Sequence, residues 1–186
     1  MQIKDIEAFY DICNTQNKSM IQKEWQKLWD WFIREKKDEY AQISYKEGVQ
    51  RLISEKNYNI RRNIASSKSM GLSIRPGDVC YTDFGQAYLY EAGYQHFGLV
   101  IAIVHFKALI IPMTSNPQTY RKAFTNEGAY LFPLGTIEGL YKESVLFLND
   151  AKFINTARII DVKAHIPVDS EMFLKIKSKL KNLILE

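Results

Sequence analysis

The chain has 186 residues, 46% of them hydrophobic and 25% charged, with a formal net charge of +4. That suits one globular domain of good size plus an appendage, large enough to hold its core without disulfides. The charge permits nucleic-acid binding without indicating it: residues 1–70 carry 13 Lys+Arg against 10 Asp+Glu and the remainder 12 against 11.

Cys13 and Cys80 make no ligand-like pair, so reduced thiols and a cytoplasmic location are expected. The opening residues do not read as a secretory leader. The longest apolar run, 97–106, is too short to span a bilayer.

Helical patterning comes first. Ile3, Ile6, Phe9 and Cys13 fit one short helix. Ser19 with Gln22 has the form of a capping box, and Trp25, Leu28, Trp29 and Phe32 then recur at helical spacing. Ser44 with Glu47 repeats the signature ahead of Val49, Leu52 and Ile53. The small, polar stretch 64–71 reads as a linker, which divides the chain into a helical region, 1–70, and a second domain, 71–186.

From Ser73 onward the pattern is that of strands. Arg75-Pro76-Gly77-Asp78 makes a turn, and residues 79–84 alternate behind it. Two apolar runs, 99–104 and 108–113, flank a hairpin connection at His105-Phe106-Lys107; further strands are expected at 144–148 and 157–162. Asp169 is expected to cap a last helix with Met172, Ile176, Leu180 and Ile184 on one face. The expected fold is therefore α+β: a small SH3-like antiparallel β-barrel with a C-terminal helix, preceded by an α-helical N-terminal region. No Gly-rich phosphate loop is present, and His96, His105 and His165 show no metal-ligand spacing, so no metal or other cofactor is expected.

Three segments in order resemble the MazF/PemK toxins. Residues 75–85 (Arg-Pro-Gly-Asp-Val-Cys-Tyr-Thr-Asp-Phe-Gly) look like that family's opening strand. Asp83, Glu91 and Gly93 fall on its acidic and Gly positions, and Leu99-Val100-Ile101 on its second strand. Ile110-Ile111-Pro112-Met113-Thr114-Ser115 is similar to its apolar strand ending in Thr-Ser. Residues 142–148 follow, with Lys152 and Arg158 at the spacing of its basic residues. The resemblance spans residues 73–184. It implies a metal-independent endoribonuclease acting on single-stranded RNA, a homodimer, and a cognate antitoxin. That antitoxin would be a protein, or an RNA as in the ToxN group, which the run into Pro-Met-Thr-Ser also resembles.

One position departs from the motif: His96-Phe97 stands where the family has Arg-Pro, and that Arg is catalytic in the family. Metal-free RNA cleavage needs a group that takes the 2′-hydroxyl proton and donors aimed at the phosphate. An imidazole meets the first need, which makes His96 the expected general acid or base, with Thr114 and Ser115 as phosphate donors. Read alone, His96 is a structural residue and Thr-Ser before Asn116-Pro117 a turn. The resemblance tips both toward chemistry.

Expected RNA contacts are Tyr88, Tyr90, Tyr94 and Gln95 in the loop 86–95, Asn116, Arg121 and Lys122 beyond the Thr-Ser strand, and Asp83, Glu91 and Lys152. His105 and His165 read as structural or surface residues. Trp25, Trp29 and Phe32 read as a packed helix face; a sharper reading has the extension occlude the RNA groove or dock an antitoxin or second subunit. Two other functions compete: a non-catalytic barrel binding nucleic acid or protein, for which the lost Arg marks lost activity, and a toxin that inhibits a protein target such as gyrase.

Overall fold

A computed structural model describes residues 3–14 and 18–185. The chain divides into two compact units, Met1–Val49 and Gln50–Glu186. The first holds helices α1 (Ile3–Cys13) and α2 (Lys18–Gln42) and the opening of α3 (Tyr45–Arg61). The aromatic spacing read from the sequence becomes a row of rings: Phe9 on Trp25 at 6.1 Å, Trp25 on Trp29 at 6.4 Å and Trp29 on Phe32 at 5.9 Å. Neither α1 nor α2 contains a fully buried residue, so the packed face expected there is an open one. Ser44 caps α3 as the Ser-x-x-Glu pattern predicts, its Oγ accepting the Glu47 N–H at 3.2 Å. Ser19 is already helical, and residues 15–17 before α2 lie outside those described.

The second unit is built on seven antiparallel strands: β1 (Asp78–Asp83), β2 (Gln95–Val104), β3 (Lys107–Thr114), β4 (Leu131–Gly135), β5 (Ser144–Phe147), β6 (Lys152–Asn155) and β7 (Ile159–His165). A one-turn helix, α4 (Pro117–Lys122), follows β3, and α5 (Glu171–Leu185) closes the unit. Strand order is β4-β5-β3-β2-β1-β7, with β6 on the first half of β3. β6 pairs residues Lys107 to Ile110 and β5 pairs Met113 and Thr114. Ile111 and Pro112 fall at the changeover, where a proline without an N–H removes no ladder bond on that edge.

This changeover rolls the sheet. β6 leaves β3, crosses through a 3-10 turn (Thr156–Arg158) and enters β7 on β1, so β6-β3-β2-β1-β7 form the expected SH3-like barrel. Its interior holds Cys80, Val100, Ala108, Ile110, Ile154 and Ile159. The outer face of the same strands (Val79, Leu99, Ile111, Met113) packs beneath α5 and the β4–β5 hairpin.

Three local expectations change. Stretch 64–71 is no free linker: it forms a 3-10 turn (Ser67–Met70), and the buried Ser67 donates its N–H to Thr156 Oγ1 at 3.1 Å. The cap of α5 is Ser170, whose Oγ accepts the Phe173 N–H, and not Asp169. Its buried face is Phe173, Ile176 and Leu180, while Met172 and Ile184 are exposed, because repeated steps of four overshoot a 3.6-residue turn and carry the ends of the row off the face. Strands β4 and β6, short and weakly patterned, escaped the sequence reading.

Candidate functional site

The turn before β1 sets the barrel's position. Asp78 accepts the Arg75 N–H at 2.8 Å and binds His165 Nδ1 at 2.7 Å, which makes His165 structural, as expected. Gly77 sits at φ +92, and a Cβ there would meet the Ile166 carbonyl oxygen at 2.2 Å. His105, at φ 54, occupies the exposed β2–β3 turn.

At the far end of β1 the register lays out a row across three strands. Thr82 pairs with His96, and extending the Phe97–Met113 pairing by one step puts His96 opposite Thr114. Directly opposed residues share a face, here the one that carries Cys80, Gly98 and Pro112 further in. Thr82, His96 and Thr114 are thus the next row outward, at the rim of the barrel interior. Thr82 is fully buried, and its hydroxyl has no hydrogen-bond partner among the described residues.

His96 is half-buried with Nδ1 2.5 Å from the Gly93 carbonyl oxygen. A carbonyl only accepts, so Nδ1 carries the proton and a neutral ring leaves Nε2 with its lone pair. Thr114 Oγ1 accepts the Asn116 N–H at 3.2 Å, and Ser115 follows it, exposed. Asn116 caps α4, its Oδ1 taking the Gln118 and Thr119 N–H groups at 2.8 and 3.2 Å. His96 and Thr114 thus stand near the same end of neighbouring strands; Ser115 lies just past the strand end.

The β1–β2 loop is closed at its neck by Phe84 N–H to Tyr94 O and Tyr94 N–H to Gly85 O, at 2.7 and 2.6 Å. Tyr88 and Tyr90 stand almost fully exposed at its tip, where Glu91 accepts the Tyr88 N–H. Tyr94 is half-buried with the Arg51 guanidinium 5.9 Å from its ring. Asp150 ties the loop down by accepting the Ala92 N–H at 2.7 Å and pairing with Lys152 at 2.7 Å; Lys152 also lies over the Phe84 ring. Arg121 is exposed on α4, and Lys122 faces Glu127 and the Tyr130 ring.

Asp83 and Gln95, opposed at the end of β1–β2, point inward to protein partners. Asp83 is buried and accepts four hydrogen bonds: Oδ1 from Ser54 Oγ at 2.8 Å and Gly85 N–H at 3.0 Å, Oδ2 from Asn57 Nδ2 at 2.8 Å and Gln95 Nε2 at 3.3 Å. Gln95 Nε2 also donates to Gln50 O. These bonds fix the Gln50–Arg61 part of α3 beside the loop neck. Arg61 adds two more, Nη1 donating to Ala157 O and Ile159 O at 3.1 and 2.9 Å.

Between α3 and the barrel a cavity of about 520 Å³ remains, with Tyr58, Arg61, Arg62, Gln86, Asn155 and Arg158 in its walls. None of the α3 residues that line the cavity or bind Asp83 stood out in the sequence. The one available signal was a polar stripe, Ser54, Asn57 and Arg61, at helical spacing on a helix whose apolar residues lie elsewhere. Among the described residues, no group of three His, Cys, Asp or Glu is placed to hold a metal ion, and no helix is long and apolar enough to cross a membrane.

No known protein family and no curated protein matches the chain by sequence. Among solved structures, it is similar to MazF (form I) from Deinococcus radiodurans at 16% identity and a TM-score of 0.48, over 62% of this chain and 99% of that one. The MazE–MazF structure (form II) from the same organism aligns at 17% identity and a TM-score of 0.44, over 61% of this chain and 96% of that one.

Proposed function

We propose that the chain is a metal-independent endoribonuclease cleaving single-stranded RNA, a toxin of the MazF/PemK type. The reading rests on the three ordered motifs in the sequence. The observation that supports a mechanism is that Gly93 O orients the His96 ring, with Thr114 at the end of the neighbouring strand.

In this mechanism His96 Nε2 takes the proton of the substrate 2′-hydroxyl. The 2′-oxygen attacks phosphorus, the bond from phosphorus to the 5′-oxygen breaks, and that oxygen leaves with a proton returned by the imidazolium. The products are a 2′,3′-cyclic phosphate and a 5′-hydroxyl. Thr114 and Ser115 hydroxyls donate to the phosphate oxygens as charge builds on them. Tyr88 and Tyr90 offer exposed rings for base stacking, and Arg121, Lys122 and Lys152 supply positive charge for the backbone. Asp83, Gln95 and Asn116 act by holding the loop and α4 in place, and Glu91 and Tyr94 by shaping the loop. A homodimer, a cognate protein antitoxin and a cytoplasmic location complete the reading on the strength of the motif resemblance alone.

The test is incubation of the full chain with mixed single-stranded RNA in excess chelator, beside His96→Ala. Cleavage that survives chelation, leaves cyclic-phosphate ends and is lost in the variant is the expected result. Cleavage unchanged in the variant removes His96 from the mechanism. No cleavage by either turns the assignment to a non-catalytic binding barrel.

A further inference from the structure

We infer that the cavity between α3 and the β1–β2 loop is a subsite for one phosphate-bearing nucleotide of single-stranded RNA, outside the His96–Thr114 row. Its size, its charge and the way its arginines are held all lead there.

At about 520 Å³ the cavity lies in the range of sites that enclose a small organic group, and is large enough for a nucleotide. Arg61 and Arg158 approach it from opposite walls, each fixed through one guanidinium nitrogen. Arg61 Nη1 is bound to the carbonyls of Ala157 and Ile159, and Arg158 Nη1 to Phe84 O at 2.9 Å. Arg158 passes over Gly85, where a Cβ would stand 3.0 Å from Nη1; Gly85 at φ +82 leaves room for it.

A guanidinium carries five N–H donors, and these bonds leave Nε and Nη2 of both arginines uncommitted. Among the described residues no carboxylate forms an ion pair with either. Arg62 adds a third positive charge to the wall, against Glu55 and Asp83. Three arginines against two carboxylates leave the lining net positive, and the Asp83 oxygens are already occupied by four hydrogen bonds. Two immobilised guanidinium groups with free donors suit a phosphodiester, which they can grip with paired hydrogen bonds.

The rest of the wall suits a base. Tyr58, exposed on α3, offers a ring, and Gln86 offers an amide in the same lining. An acidic peptide would use the arginines and leave the aromatic ring and amide without a role.

The subsite adjoins the proposed reaction centre. Arg158 holds Phe84 O and His96 holds Gly93 O, while Phe84 and Gly85 are hydrogen-bonded to Tyr94 across the loop neck. The two sites thus share the β1–β2 loop neck. The inference rests on the RNA reading for its ligand, but not on catalysis.

The experiment uses the full chain and a labelled, mixed-sequence pool of 2′-O-methyl hexanucleotides. These cannot be cleaved, so occupancy is read separately from reaction, by fluorescence anisotropy. Arg61→Gln and Arg158→Gln are each expected to weaken binding about tenfold and to lower the slope of log affinity against log salt by about 1. Tyr58→Ala, at an exposed position that leaves the fold intact, is expected to weaken it about tenfold without changing that slope. Affinity within twofold of wild type in Tyr58→Ala and Arg158→Gln overturns the subsite, as does absence of hexanucleotide binding or displacement by a polyglutamate peptide but not by adenosine 5′-monophosphate. Weakened binding in a chain that never cleaves RNA keeps the subsite and removes the nuclease. Cleavage with unaffected binding does the reverse.

Discussion

Replacing Asp83 with Ala tests whether this residue is a structural tie. The carboxylate accepts from Ser54, Asn57, Gly85 and Gln95, at 2.8 to 3.3 Å. Hydrogen bonds to a charged acceptor contribute about 1.5–3 kcal/mol each, and a buried donor left without a partner costs about 1–3 kcal/mol. Ser54 and Gln95 are only 8% and 6% exposed, so water cannot readily replace the lost acceptor. The four bonds share one group and do not add, so a loss of about 3–5 kcal/mol is expected, a third or more of a typical domain's stability. Asp83→Asn keeps one acceptor oxygen but turns an amide toward Asn57 and Gln95, and should lose about 2 kcal/mol. Urea unfolding followed by far-UV circular dichroism measures the total, and amide exchange locates it: protection should fall across 50–61 before the barrel strands. A loss below about 1 kcal/mol, with exchange in that segment unchanged, would refute the tie.

Further outcomes follow from the same geometry. Gly77→Ala should destabilise the barrel by more than about 3 kcal/mol or prevent its folding, read by thermal melting, since its Cβ would collide with a backbone carbonyl at positive φ. Thr82→Val should leave stability unchanged or raise it by about 1 kcal/mol, because it removes a buried hydroxyl with no partner among the described residues; a clear loss in urea titration would mean the hydroxyl is satisfied after all. Ser170→Ala should cost about 1 kcal/mol in chemical denaturation and Asp169→Ala almost nothing, since Ser170 makes the cap. Burial, aided by Asp78 and Asp161, pushes the Cys80 thiol up to about 12 from 9.0. Below pH 9 the thiol is neutral in both native and unfolded chains. Above it the unfolded chain loses a proton that the native one keeps, so stability should decline from about pH 9 toward 12 in wild type and less in Cys80→Ala. Alkylation of the native chain should label the exposed Cys13 and spare Cys80.

Local patterns in the sequence were enough for the elements whose signals are periodic and short-range. Spacings of three and four gave α1 to α3, alternation gave β1, and two β-branched runs around His105 gave the β2–β3 hairpin. The Ser44–Glu47 pair marked a helix start because a capping box is made within one turn. The candidate site was half legible: His96 and Thr114 were singled out, but only the register of β1 and β2 pairs His96 with Thr82, whose buried hydroxyl has no partner among the described residues.

Tertiary structure alone decided the rest. β6 exists because β3 offers it an edge and β4 because β5 does, not because their few residues favour strands strongly. Asp83 was expected to contact RNA, and is instead a buried tie because α3 brings Ser54 and Asn57 to it from 29 and 26 residues away. Arg61 meets the backbone of Ala157 across 96 residues, which is what brings its guanidinium into the same cavity as Arg158. Such contacts leave no periodic trace, since each partner satisfies only its own local backbone rules and their meeting is fixed by how the sheet rolls.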